Sequence, residues 1–156
     1  MASRRKGRIL AFQALYFWEA GRDTGADAFS GEISNKQSVV SAGELIKFAW
    51  VDEEKLKKYD ESIITFSRVL ITGALENISE IDNMIKRHLE NWDISRLNRV
   101  DLAILRMSAY TLMFQKEIPP TIVIDEAIGI CREFGADDSF RFVNGVLDSI
   151  RKTCVK

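Results

Sequence analysis

Two cysteines, two prolines and one histidine are all that this 156-residue chain holds of three residue types on which much protein chemistry depends. Cys131 and Cys154 lie far apart without C-x-x-C spacing, and His88 is the only imidazole, so no zinc ligand set is expected. Thiols outside a disulfide framework suit a reducing compartment. No apolar run approaches the roughly 18 residues of a membrane helix. No signal-peptide core follows the N-terminal charges either, and the expected location is the cytoplasm, with no membrane partner. G-x-S-x-G, a Walker loop and H-E-x-x-H are all missing. His88 stands in "IKRHLE" with no partner motif, and the paired acids of "IDEA" and "DDS" point to different helix faces. The residues therefore predict no enzyme, no catalytic group, no metal and no cofactor.

What is present is a helical pattern. Apolar residues make up 46% of the chain and charged residues 29%, the balance of a soluble globular protein. "TFSRVLITGALENISEIDNMIKRHL" carries Phe66, Leu70, Leu75, Ile78, Ile81, Ile85 and Leu89 at helical spacing, with a break expected near "NIS" where Ser79 caps a second helix. "SRLNRVDLAILRMSAYTLMF" repeats the stripe and must stop before "IPP". Pro120 suits the first turn of the next helix and Gly135 its end; a last helix runs from "DDS" to about Lys152. Segment 21–37 reads as a loop, and 38–60 as broken helix with a solvated charge run. The fold class expected is all-α, with about seven helices.

The net charge is −1, so any attraction to phosphate has to be local. "SRRKGRILAFQALYFW" supplies a place for it: Arg4, Arg5, Lys6 and Arg8 crowd the start of a helix whose apolar stripe is Ile9, Phe12 and Tyr16. Cations there oppose the helix dipole, which makes sense if phosphate is the neighbour. Gln13, amid apolar residues, is expected to be hydrogen-bonded inside. In "DDSFRFVNGVLDSIRK" the residues Phe140, Val143, Asn144, Leu147 and Ile150 share one side, read as core. Phe142 lies off that side, beside Arg141 and in line with Asp138, Gly145 and Ser149. It is either a stacking platform for an unpaired base or a ring packed under a neighbouring helix, with Gly145 permitting close approach.

Taken together, "RRKGR…FQALYFWE", "LENWDISRLNRVDLAILRMSAYTLMF", "IPPTIVIDEAIGICREFGADDSFRFVNGVLDSIRK" and, more loosely, "ITGALENISEIDNMI" resemble the NusB family of bacterial transcription antitermination factors. The resemblance covers nearly the whole chain except roughly residues 22–58. It implies two three-helix bundles in one RNA-binding domain spanning 1–156, with lobes of roughly 1–78 and 79–156. It also implies a non-enzymatic role: binding single-stranded boxA RNA together with NusE, a small-subunit ribosomal protein, so that the transcription elongation complex passes terminators in ribosomal RNA operons. The RNA-binding residues it implies are Arg4, Arg5, Lys6, Arg8, Asp138 and Phe142, next to which Arg141 lies. The NusE-binding residues it implies are Tyr16 and Asp101.

The expected mechanism is a composite surface, with the cations neutralising phosphates and Phe142 stacking on a base. Two departures stand out from the family pattern. Gly7 replaces the usual alanine and is expected to loosen the basic turn. Asp125 stands where an amide is common, which matters if that position is buried. Three alternatives remain: a NusB-like N-terminal domain of an RNA methyltransferase, a protein-interaction module without RNA binding, and a homodimer that hides its basic patch.

Overall fold

The computed structural model describes residues 4–28, 45–90 and 93–154, the side chains of 22–28 excepted. Among them are seven α-helices and no strand. These are α1 (Arg4–Ala28), α2 (Glu53–Lys57), α3 (Glu61–Glu76), α4 (Ile78–Arg87), α5 (Arg99–Phe114), α6 (Pro120–Phe134) and α7 (Ser139–Cys154), with a 3-10 turn at Ile94–Arg96. The chain divides into two compact units, Met1–Thr72 and Gly73–Lys156, and the division falls inside α3.

In the first unit α1 buries Leu10, Ala11, Phe12, Ala14 and Leu15, while Ile9 and Tyr16 stay half-buried at the margin of that stripe. Residues 45–51 turn back so that Leu45 and Phe48 join the core. Phe48 takes φ 56°, a left-handed conformation that an aromatic residue holds only when its surroundings demand it. The Trp50 indole N–H donates to Gln13 Oε1 at 3.0 Å, so Gln13 is hydrogen-bonded while half-buried. Helix α1 continues past Gly21 to Ala28, which corrects the loop expected to start at 21. A single glycine costs a helix about 1 kcal/mol relative to alanine, too little to stop a docked helix that contains no proline. Residues 29–44, which hold the rest of that expected loop and the start of the broken segment, lie outside the described residues.

In the second unit α5 is the central element, buried without interruption from Asp101 to Ala109. Helices α5, α6 and α7 each pack on the other two, and α4 lies against α5 and α7. Asn98 caps α5, its side-chain oxygen accepting from the backbone N–H groups of Val100 (2.8 Å) and Asp101 (3.3 Å). Pro120 opens α6 and Gly135 closes it, as expected. A Cβ at Gly135 would fall 2.8 Å from the Cys131 carbonyl oxygen, so the constraint is space. The break between α3 and α4 falls at Asn77, ahead of the expected Ser79 cap. The Asn77 side chain donates to the Gly73 carbonyl at 2.9 Å and leaves Ser79 exposed within the first turn of α4. The Arg106 side chain, 4% exposed, joins α5 to α4 through two bonds of 2.9 Å to the two carboxylate oxygens of Asp82.

Candidate nucleic-acid interface

The cations at the start of α1 are not equivalent. Arg4 and Lys6 are exposed, Arg5 is half-buried, and Arg8 is 7% exposed. Arg4 and Arg8, one turn apart, set their guanidinium carbons 4.7 and 5.2 Å from the centre of the Phe66 ring on α3. Arg8 is thus largely a packing residue, and Arg4 is the cation that is both anchored and exposed.

Gly7 makes this arrangement possible. It is buried, and a Cβ there would lie 2.7 Å from Phe66 Cδ2 and 3.3 Å from the Ile63 carbonyl oxygen. The expected loosening of the basic turn is therefore corrected: glycine lets Phe66 approach. Exposed Gly-to-Ala changes in helices stabilise by up to about 1 kcal/mol. Here overpacking outweighs that gain, and Gly7→Ala is expected to destabilise by a net amount of about 1 kcal/mol. Urea unfolding of the variant measures it, and an unchanged or raised midpoint would refute the close fit.

In the second unit Asp138 is exposed just before α7, Arg141 is exposed on its first turn, and Phe142 is half-buried. Arg141 sets its guanidinium 5.5 Å from the Phe140 ring, and Arg132 sits 4.6 Å from the same ring. Phe142 and Arg141 line an open cleft of about 340 Å³, together with His88, Leu89, Glu90, Gly145, Val146 and Ser149. The Phe142 ring is thus neither free in solvent nor sealed in the core. Two readings of α7 are corrected. Asn144 is exposed instead of facing the core, and a Cβ at Gly145 would meet nothing within 4 Å among the described residues, so none of the described helices packs closely on it. Val146, left out of the expected core side, is buried instead.

Sequence reasoning left His88 aside, yet its ring reaches α7. Nδ1 lies 2.6 Å from Ser149 Oγ and Nε2 3.3 Å from Thr153 Oγ1. Burial, with Arg87 adding to it, holds the imidazole below its ordinary pKa. The neutral ring carries one N–H, so one hydroxyl accepts from it and the other donates to it. No local motif signals this, because the partners lie 61 and 65 residues away.

Tyr16 is half-buried and meets Phe17 edge-on at 5.5 Å; Phe17 is 39% exposed and stands 5.3 Å from Trp50. Together these rings make an aromatic patch on the first unit, of which only Tyr16 was expected. Asp101 is only 7% exposed. Burial raises its pKa, a hydrogen bond from Ser139 works the other way, and Oδ1 has no hydrogen-bond partner among the described residues. Burial, with Asp101 adding to it, also pushes the Cys131 thiol up to about 12, the mark of an inert core cysteine. Asp125 is exposed, so the departure from an amide there costs no buried hydrogen bond.

Anchored cations on one helix and an aromatic ring in an open, polar-edged cleft on another define a helical binding protein. Among the described residues no cluster of His, Cys, Asp and Glu is placed to hold a metal, and no helix is long and apolar enough to cross a membrane. The NusB family model matches residues 5–152, and the chain belongs to the NusB family. Transcription antitermination protein NusB of Treponema denticola is 47% identical over 148 residues, covering 95% of each chain. That of Geotalea daltonii is 38% identical over 150 residues, with 96% of this chain and 94% of that one covered. The structure of T. maritima NusB, 37% identical, superposes with a TM-score of 0.75 over 97% of this chain and 93% of that one. A structure of antitermination factors NusB and NusE in complex with double-stranded RNA is 25% identical to this chain, with a TM-score of 0.69 and 96% of each chain covered. The family is one of transcription antitermination proteins, not of enzymes.

Proposed function

We propose that this chain binds single-stranded boxA-type RNA together with a NusE-type small-subunit ribosomal protein, and so helps the elongation complex through ribosomal RNA operons. The observation that carries the reading is the Phe142 ring, held half-buried in an open cleft beside Arg141 and available to an unstacked base. Arg4, Arg5 and Lys6 neutralise phosphates, and Arg8 supports them from its place on Phe66. Asp138, exposed at the start of α7, contributes acceptors for base donors. The two units act as one RNA-binding domain in the cytoplasm.

Tyr16 and its aromatic neighbours suit the ribosomal-protein partner, since rings with a polar tip favour interfaces. Asp101, 7% exposed at the start of α5, belongs to the same reading.

Two exposed cations, Arg4 and Lys6, together with the half-buried Arg5, set the electrostatic expectation. Affinity of the free chain for single-stranded RNA should fall with salt at a log–log slope of roughly −2, at about 0.7 per phosphate contact. The test is a titration of labelled boxA RNA across a salt series, with and without the ribosomal protein. Weak binding alone and markedly tighter binding with the partner are expected. A slope near zero removes the electrostatic part, and equal affinities remove the partner's contribution. Light scattering on the free chain separates a monomer from a homodimer that covers the basic start.

A further inference from the structure

Among the described residues Glu90 is the one acidic residue lining the Phe142 cleft, and an acid is out of place on a surface meant for phosphate. An ionised carboxylate accepts hydrogen bonds and donates none, so it repels a backbone phosphate and tolerates RNA only where it meets base donors. We propose that the cleft is a guanine-preferring base pocket in which Phe142 provides the stacking face and Glu90 reads the base. This rests on the RNA-binding reading and adds a specificity determinant to it.

The cleft has the volume and lining for one base. Its volume of about 340 Å³ lies in the range of small-ligand sites. Leu89 and Val146 are its apolar lining, and the missing side chain at Gly145 keeps the space beside Phe142 open. The polar groups then select among bases. Guanine alone presents two adjacent donors on its Watson–Crick edge, N1–H and the N2 amino group, which match the two oxygens of one carboxylate. Adenine and cytosine each offer one amino group beside an acceptor, and uracil offers one N–H between two carbonyls. The Arg141 guanidinium, exposed in the same cleft, supplies donors for guanine O6 or for the flanking phosphate.

His88 is a positioning residue in this arrangement. Its contacts to Ser149 and Thr153 tie the end of α4 to α7. The segment carrying Glu90 is thereby held against the helix carrying Phe142.

The experiment uses the full chain at low salt and a labelled oligouridylate carrying one central guanosine, inosine or adenosine. Inosine keeps N1–H and O6 and lacks only the N2 amino group. The wild-type chain should bind the guanosine oligomer about fivefold or more tighter than the inosine oligomer, the discrimination of one bidentate contact. Glu90→Gln, a surface change that leaves the fold alone, should bring the two within about twofold while oligouridylate binding persists. His88→Ala should narrow the same ratio by freeing the segment. Equal wild-type affinity for guanosine and inosine, or an undiminished ratio in Glu90→Gln, overturns the guanine pocket and leaves the RNA reading standing. Failure of every oligomer to bind the wild-type chain, both alone and with the ribosomal protein present, overturns both.

Discussion

Asp82→Ala is expected to lower the unfolding free energy by about 3–5 kcal/mol, the cost of removing one partner from a buried ion pair. The magnitude follows from an asymmetry of exposure: the Arg106 side chain is 4% exposed and that of Asp82 20%. With the carboxylate gone, the buried guanidinium loses two charge-assisted hydrogen bonds without returning to water. Asp82→Asn, which keeps one acceptor, should cost less. Replacing both residues by apolar side chains of similar volume should be milder still, because no charge is then left in the interior. Chemical denaturation of the three variants orders them. A loss under about 1 kcal/mol in Asp82→Ala would mean that the pair is far better solvated than its burial indicates.

The second large effect is on binding. Phe142→Ala is expected to weaken single-stranded RNA affinity by about 1–3 kcal/mol, or roughly five- to 150-fold, the range for loss of one base–aromatic stack. Its effect on stability should be small, because the ring is half-buried in an open cleft and none of the described helices packs closely on Gly145, which lines the same cleft. Affinity and thermal unfolding measured on the same variant decide between the two roles of the ring. If stability collapses while the residual folded protein still binds RNA, Phe142 is a packing residue and the stacking platform is wrong.

Much of this was legible beforehand. A helical stripe needs only period 3.6, and Pro120 and Gly135 punctuate α6 through local stereochemistry, so those boundaries could be read without neighbours. Phe142 stood out because it falls off the apolar side of its own helix. Readings failed where a neighbouring element decided the outcome. Gly7 looked like a source of looseness until Phe66 was found where a Cβ would be. Arg8 looked equivalent to Arg4 until Phe66 and burial set it apart. The burial of Asp101 could not be read from helical spacing, because its interactions with Ser139 and Cys131 join it to other helices. Nothing local to His88 or Glu90 signals their place in the cleft, since it depends on a helix about 50–60 residues further along.

The amino-acid order by itself determined that the chain is helical, that its cations gather at one helix start, and which family it resembles, since all three are read from spacing and type along the chain. Only the tertiary structure decided which of those cations faces solvent, which carboxylate neutralises Arg106, and that an imidazole and a carboxylate line the same cleft as Phe142. The physical reason is that periodicity specifies the face a residue occupies on its own helix. What covers that face is set by contacts between segments remote in sequence, and burial, with the charge and hydrogen-bond consequences it carries, exists only once they have met.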